Sequence, residues 1–324
     1  MYFQYTKVAM VLVCTVLVGI ATAQRPSNTS ICDYYTETIL GENTAANQKL
    51  LMVLLLHTTV LGNYTTPNVG IAVHGIATSG NFDGVEVNLL KYFTGEVAST
   101  NDGKTPHGVA INLLDDGGAA PLLKNMSSNG NTTSIQYNLF NHIEQYFATL
   151  LGCSKQGSSP ELLTYQGRAS MYQVHRYMDL SAAEMGFFIQ QATLAIASLG
   201  FDPADVSYVN ATLHTVFNYR CSPAQTLAPA SAGPQLQACC TGPTCPLHPN
   251  ATCAAYPDDG VAVPPAVVGN TTGGGGGNAS VSRSAGAPTS TPSSLGVAVG
   301  AGGGAWVWGV LAAVVGIAVF AAGV

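Results

Sequence analysis

The chain has 324 residues, of which 47% are hydrophobic and only 9% are charged, with a formal net charge of −6 at pH 7. This length suits one sizeable domain with appendages, and the lack of basic stretches excludes a nucleic-acid-binding protein. A protein surface with so few charged residues is poorly solvated. We therefore expect carbohydrate to cover part of it. Eight Asn-x-Ser/Thr sequons are available: Asn28, Asn63, Asn125, Asn131, Asn210, Asn250, Asn270 and Asn278.

The N-terminus has the organisation of a secretory signal peptide. Lys7 supplies the positive charge, residues 8–20 form the apolar core, and Ala-Thr-Ala at 21–23 is a small-residue cleavage site. An uncleaved membrane anchor would need a longer apolar stretch. We therefore predict a secreted protein whose mature chain begins at Gln24.

Seven cysteines remain after Cys14 leaves with the signal peptide: Cys32, Cys153, Cys221, Cys239, Cys240, Cys245 and Cys253. In a secreted protein we expect them to form disulfide bonds, although the spacing does not determine which pairs form. The odd number leaves one thiol over, and Cys239, directly beside Cys240, is the preferred candidate. A zinc site of Cys240, Cys245 and His248 is the less favoured alternative, because secreted thiols normally oxidise before they meet zinc.

Residues 44–62 predict a helix whose apolar side chains cover nearly its whole circumference, so we expect it to be central and buried. Lys49 and His57 interrupt its apolar surface and argue against a membrane span. A polar side chain on a buried helix needs a partner. His57 is therefore either a core histidine bonded to the backbone or to a buried polar group, or it faces a bound ligand.

Residues 63–133 are rich in Gly, Asn, Thr and Asp and predict loops or hairpins. Short strands are predicted at 69–76 and 108–114, and one helical turn at 88–95. The Asp-Asp-Gly-Gly run at 115–118 predicts a turn rather than a calcium site, because two adjacent aspartates supply too few oxygen ligands. Long loops of this kind often determine specificity.

Helical periodicity resumes at 134–152 and continues in three more predicted helices. The first of the three covers about 168–178 and carries His175. The next opens on a capping box of Ser181 and Glu184 and stops at Gly200. The last begins with an Asp-Pro pair at 202–203, where a missing N–H costs nothing and negative charge suits the helix dipole.

Residues 134–219 resemble the C-terminal half of a group I truncated haemoglobin, a two-over-two globin. The resemblance rests on the Tyr-Gln-Gly-Arg turn at 165–168, followed by Met171-x-x-x-His175 on a short helix, a longer helix and a Gly-x-x-Pro turn. Upstream, NHIEQYFATLLGC at 141–153 resembles the distal helix of the family and its Leu-Gly-Gly ending, with a cysteine in place of the second glycine.

The resemblance implies a mostly α, globin-like helical domain with a long loop and short-β insertion, in which His175 is the proximal ligand of a haem iron. A small gaseous ligand such as O₂ or NO would bind that iron. His57 would lie near the distal polar position, while His142 would contact ligand or propionate unless it is a half-exposed surface histidine. The implied haem-contacting residues are His175, Met171, Tyr165, Leu139, His142, Ile143, His57 and Phe188.

The composition changes after Cys253. Residues 256–304 are dominated by Pro, Gly, Ser, Thr, Ala and Val and predict a flexible, O-glycosylated stalk. The apolar residues 305–324, with nothing basic after them, predict a GPI-anchor signal that is removed. The predicted organisation is a signal peptide (1–23), a globin-like helical domain with its insertion (24–222), a Cys-rich extension (223–255), the stalk (256–304) and the anchor signal (305–324).

The whole chain resembles secreted, GPI-anchored fungal surface glycoproteins, and two functions are compatible with it. The first is a haem protein held by its glycolipid anchor at the extracellular face of the plasma membrane or in the cell wall. The alternative is a non-catalytic surface protein for wall structure or recognition, with cell-wall glycans as partners. A secreted hydrolase ranks last, because the sequence has no Gly-x-Ser-x-Gly elbow, no His-Glu-x-x-His motif and no convincing carboxylate pair.

Overall fold

The capping signals of the sequence set where the main helices begin. In the computed structural model, which describes residues 24–65, 69–99 and 107–262, the Ser181 hydroxyl accepts the backbone N–H of Glu184, and the Glu184 carboxylate accepts the N–H of Ser181. Asp202 caps the last long helix and Pro203 is its first residue. Both predicted helix starts are confirmed.

The protein is mostly helical. The helices are α1 (Ile31–Leu40), α2 (Ala45–Leu61), α3 (Leu90–Thr94), α4 (Ala119–Leu122), α5 (Ile135–Leu151), α6 (Met171–His175), α7 (Ala182–Ser198) and α8 (Pro203–Phe217), with short 3₁₀ turns at Ala230–Ala232, Cys253–Ala255 and Pro257–Gly260. Two short strands, β1 (Gly80–Phe82) and β2 (Val85–Val87), form an antiparallel hairpin in which Gly80 pairs with Val87. The predicted signal peptide, anchor signal and nearly all of the stalk lie outside the described residues.

Helix α2 is the centre of the core, as its apolar circumference predicts. It packs against α1, α5 and α7, and α7 packs in turn against α8. Seven consecutive residues of α2, from Leu51 to His57, are buried. Burying a full set of aliphatic side chains at about 1.5–3 kcal/mol each makes this helix the main source of hydrophobic stabilisation.

The predicted strands at 69–76 and 108–114 are wrong. In residues 69–76, backbone groups form hydrogen bonds with a side chain where a strand partner was expected. The N–H groups of His74 and Gly75 both donate to the Gln191 side-chain oxygen at 3.0 Å. Val73 and Ile76 of the first run are buried, whereas Val69 is exposed, and the second run contributes only an isolated bridge at Val109. The observed hairpin lies further along and rests on α7, where Phe82 contacts Gly186 so closely that no Cβ would fit.

Three disulfide bonds join Cys32 to Cys153, Cys221 to Cys253, and Cys240 to Cys245. Cys239 is free and buried, as predicted. The zinc alternative fails because Cys240 and Cys245 are bonded to each other, and the described residues contain no group of three or more His, Cys, Asp or Glu side chains suited to a metal ion. Within the same residues, no helix combines the length and apolarity needed to cross a membrane.

The start of the predicted mature chain is attached to α8 through Asp205. The Arg25 guanidinium donates to both Asp205 oxygens at 2.7–3.1 Å, and the Tyr35 hydroxyl donates to the same carboxylate at 2.9 Å. Burial by itself raises the pKa of Asp205, but the hydrogen bonds from Arg25 and Tyr35 and the charge of Arg25 outweigh it and lower the pKa. The carboxylate is therefore a structural anion.

Replacing Asp205 by asparagine is expected to lower the free energy of unfolding at pH 7 by about 1.5–3 kcal/mol, the range for hydrogen bonds to charged groups. Because folding depresses this pKa, the stabilisation is complete above about pH 4, near the ordinary value for Asp, and is lost as the pH falls through the folded value. Denaturant unfolding at pH 7 and at a pH below about 4 measures this. The difference in unfolding free energy between the parent protein and Asp205→Asn should be smaller at the acid pH. Asp83→Asn, in the exposed hairpin turn with φ 50°, is the control and should change little.

Candidate functional site

A cavity of about 590 Å³ lies where α3, α5, α6, α7 and the end of α8 converge. This volume is in the range of pockets that bind small molecules and cofactors, about 300–1,000 Å³. Its lining is mainly apolar and aromatic, with four sulfur atoms from Met171, Met178, Met185 and Cys239. Exposed polar residues, Arg168 among them, also border it, which places its mouth near the 165–168 turn.

The 63–133 insertion builds one wall of this cavity. Leu89, Phe93, Ile111 and Leu113 face it from the insertion. The wall is attached to the start of α7: the Lys91 ammonium lies 3.0 Å from a Glu184 carboxylate oxygen, and the Tyr92 hydroxyl donates to the same oxygen at 3.1 Å. Glu184 therefore caps α7 and also holds the insertion in place.

A tight turn and a serine cap place α6 beside the cavity. The Tyr165 hydroxyl donates to the Arg168 carbonyl at 2.8 Å and closes the turn. Gly167 lies directly under the Tyr165 ring, with no room for a Cβ, which is the physical reason for the Tyr-x-Gly spacing. Ser170 then caps α6 by accepting the N–H of Gln173 at 3.2 Å.

His175, at the end of α6, lines the cavity. Its Nδ1 lies 2.8 Å from the Met171 carbonyl oxygen, and since a carbonyl only accepts, Nδ1 carries the proton. In the neutral ring Nε2 then has its lone pair free, and it makes no hydrogen bond to the described part of the chain. Desolvation by burial lowers the pKa of His175, which keeps the ring neutral at pH 7.

Aromatic rings from α5 and the turn form the wall beside His175. The His142 and Tyr165 ring centroids are 6.3 Å apart, and Tyr165 lies 5.2 Å from Tyr146, both in edge-to-face geometry. Tyr146 continues towards Phe217, at 6.4 Å. Burial lowers the pKa of His142, so this histidine is neutral at pH 7 as well.

Two buried hydroxyl groups in the cavity lining lack partners. The Tyr146 hydroxyl and the Ser99 hydroxyl are shielded from solvent, and neither forms a hydrogen bond with any described group. The two residues are only 5% and 6% exposed. Leaving a buried hydroxyl unsatisfied costs about 1–3 kcal/mol, so these two hydroxyl groups in the lining of one cavity suit a ligand or water that would pair with them.

The free cysteine also belongs to the cavity. Cys239 Sγ lies 3.4 Å from Nδ1 of His175 and 3.6 Å from the Gln237 carbonyl oxygen. Burial raises the pKa of Cys239, so its side chain stays a neutral thiol. The Nδ1 proton is directed at the Met171 carbonyl, so Cys239 is in contact with the ring while its own S–H donates to the Gln237 carbonyl.

The eighth predicted haem-contacting residue, His57, is not among the residues that line the cavity. It is fully buried between α2 and α5, with Nδ1 2.9 Å from the Leu122 carbonyl and Nε2 3.6 Å from Glu144. Glu144, itself 0% exposed, accepts a hydrogen bond from Lys49. Desolvation lowers the pKa of His57 to about 4, so it is a neutral core histidine, the first of its two interpretations.

The structure brings the other seven predicted residues together around one cavity: His175, Met171, Tyr165, Leu139, His142, Ile143 and Phe188. Sequence reasoning missed Tyr146, Cys239 and the insertion wall as parts of the site. Cys239 had a detectable signal, as the predicted unpaired thiol. Tyr146 had none, since it is one of several aromatic residues on an amphipathic helix. No protein-family model matches the chain, and no curated protein or solved structure is significantly similar to it.

Proposed function

We propose that this protein is a globin-like haem protein in which His175 ligates the iron. The observation that carries the proposal is the protonation of the His175 ring. Its Nδ1 donates to the Met171 carbonyl, so Nε2 keeps its lone pair on a side chain that lines a mainly apolar cavity. Metal-bound histidines characteristically donate their second ring N–H to a carbonyl or carboxylate in this way, which orients the ring and raises its basicity. His57, buried against Glu144, has no such opening.

The rest of the cavity fits the same group. Haem requires an axial nitrogen on a rigid element and apolar side chains around the macrocycle. Met171, Phe188 and Leu139 supply apolar surface from three different helices. Arg168 stands exposed at the mouth, where a carboxylate substituent would find a cation. When bound, the iron would supply the chemistry of small ligands such as O₂ or NO.

We further propose that the module is displayed outside the cell on a stalk with a glycolipid anchor. The six sequon asparagines within the described residues support a glycoprotein, because each is exposed or partly exposed: Asn28, Asn63, Asn125, Asn131, Asn210 and Asn250. None of their side-chain nitrogens, the atoms that carry N-linked glycan, donates a hydrogen bond within the described residues. This observation equally favours the alternative, a glycosylated wall or recognition module without cofactor.

The test is an absorption spectrum of the secreted ectodomain, residues 24–262, titrated with haem. We expect a Soret band with a saturable stoichiometry of one, and its loss in His175→Ala because that substitution removes the nitrogen proposed to ligate the iron. His214→Ala is the matched control: His214 is also half-buried on a helix, but it bonds Asn218 and does not line the cavity. This control should bind haem like the parent protein.

Two outcomes would contradict the haem proposal. One is a folded ectodomain that shows no Soret band with supplied haem, which would favour the surface module without cofactor. The other is a band that persists unchanged in His175→Ala, which would place the iron elsewhere. Circular dichroism of each variant shows whether it is folded, so that loss of haem is not confused with loss of structure.

A further inference from the structure

The segment that follows α8 is attached to the start of α6 and to the residue before the cap of α7. At the start of α6, the Ser170 hydroxyl donates to the Leu236 carbonyl at 2.6 Å, and the Tyr172 N–H reaches the same oxygen at 3.3 Å. Before α7, the N–H groups of Thr241 and Gly242 donate to the Leu180 carbonyl at 3.1 and 2.9 Å. The five-residue helix is therefore held from outside, since one turn contributes few internal hydrogen bonds.

Gln237 is the centre of this attachment. Its side chain is 0% exposed, and both ends of its amide are bonded. The oxygen accepts the N–H of Met171 at 3.2 Å, while the nitrogen donates to the carbonyls of Ala169 and Gln225 at 3.0 and 3.2 Å. One buried amide thus links Met171, the first residue of α6, to the backbone carbonyls of Ala169 and Gln225.

Cys239 completes the attachment two residues later. Its sulfur lies 3.4 Å from Nδ1 of His175. Tyr146, which is 5% exposed and also lines the cavity, has a buried hydroxyl without a hydrogen-bond partner among the described residues, an independent sign that the cavity suits a ligand with a polar group. The disulfide between Cys240 and Cys245 begins at the next residue and restricts the backbone that carries both groups.

We propose that the Cys-rich extension is part of the ligand site, and that Gln237 and Cys239 are positioning residues which hold His175 with its proton on Nδ1 and its Nε2 open to the cavity. Gln237 fixes the helix start and so the Met171 carbonyl, to which Nδ1 donates one turn later. Cys239 packs against Nδ1, so that the imidazole cannot rotate and turn Nε2 away from the cavity. As far as it concerns haem, this inference rests on the proposed function.

The test compares Gln237→Leu with Gln235→Leu. Gln235 lies in the same segment, but its side chain bonds only the Ala232 carbonyl. In the ligand-free ectodomain, ¹⁵N NMR of the imidazole should show a single tautomer protonated at Nδ1 in the parent and in Gln235→Leu, and a mixture of tautomers in Gln237→Leu. With haem as the probe, Gln237→Leu should raise the dissociation constant about 10–100-fold, the usual effect of removing an outer-shell partner.

Cys239→Ala should likewise give a mixture of His175 tautomers in the ligand-free ectodomain, a readout that a loss of stability alone does not move. If Gln237→Leu does not fold, Ser170→Ala removes the second attachment and should shift the tautomers and the affinity in the same direction. Unchanged tautomers and unchanged haem affinity in these folded variants would overturn the inference while leaving the haem proposal standing. Changed tautomers in a protein that never binds haem would support the positioning role and overturn the haem proposal instead.

Discussion

Replacing Glu144 by alanine is expected to lower the free energy of unfolding by about 3–5 kcal/mol, the cost of breaking a buried ion pair by removing one partner. Glu144 is fully buried between α2 and α5, where it accepts from Lys49 and faces His57. Burial lowers the pKa of Lys49, so without the carboxylate the lysine either stays charged at a cost or gives up its proton. Denaturant unfolding of the ectodomain, with unchanged m-value, measures the loss.

Two further variants separate the charge from the volume. Glu37→Ala removes an exposed glutamate from α1 and should stay within about 0.5 kcal/mol of the parent. The double variant Lys49→Met with Glu144→Leu should recover much of the loss, because a buried pair replaced by apolar side chains of similar size is often neutral. A single Glu144→Ala variant as stable as the parent would show that the pair contributes nothing to the core.

Removing the Cys32–Cys153 disulfide, by changing both cysteines to alanine, is the second large effect we expect. The bond closes a loop with a sequence separation of 121 residues, which in the chain-entropy account corresponds to about 5 kcal/mol, within the measured range of about 2–5. It ties the first turn of α1 to the second residue after the end of α5. The same junction is hydrogen-bonded, since Asp33 accepts from Ser154 at 3.0 Å and from Gln48 at 2.7 Å.

The matched control is the Cys240–Cys245 disulfide, whose sequence separation is only 5. By the same account its removal costs about 2 kcal/mol, because a short loop loses little entropy when it is closed. Thermal and denaturant unfolding of both double-alanine variants should therefore rank the long-loop variant as the less stable. The reverse order would mean that local packing around the bonds, rather than loop closure, sets their contribution.

Much of the secondary structure was predictable because its causes are local. The Ser181–Glu184 capping box, the Asp-Pro pair at 202–203 and the apolar run of α2 each act within one or two helical turns, and all three are observed. The insertion was predicted poorly for the opposite reason. Its backbone is satisfied by distant side chains such as Gln191, and no nearby residue announces such a partner.

Helices α1 and α4 show the same limit. Neither was anticipated, although Ser30 caps α1 by accepting the N–H of Asp33. Helix α4 is four residues long and has no side-chain cap, so it depends on its surroundings rather than on its own sequence. Short helices need only a few tertiary contacts to form, and those contacts leave little trace in a local pattern.

The sequence by itself determined the helix ends, the buried centre, the unpaired Cys239 and the short helix that carries His175. Only the tertiary structure decided which histidine opens onto a cavity. His57 and His175 both lie on helices among apolar residues. His57 faces Glu144 in the core, whereas His175 lines the cavity. Caps and periodicity are short-range effects, whereas a cavity is defined by side chains from the insertion, four helices and the extension, whose distances only the folded chain sets.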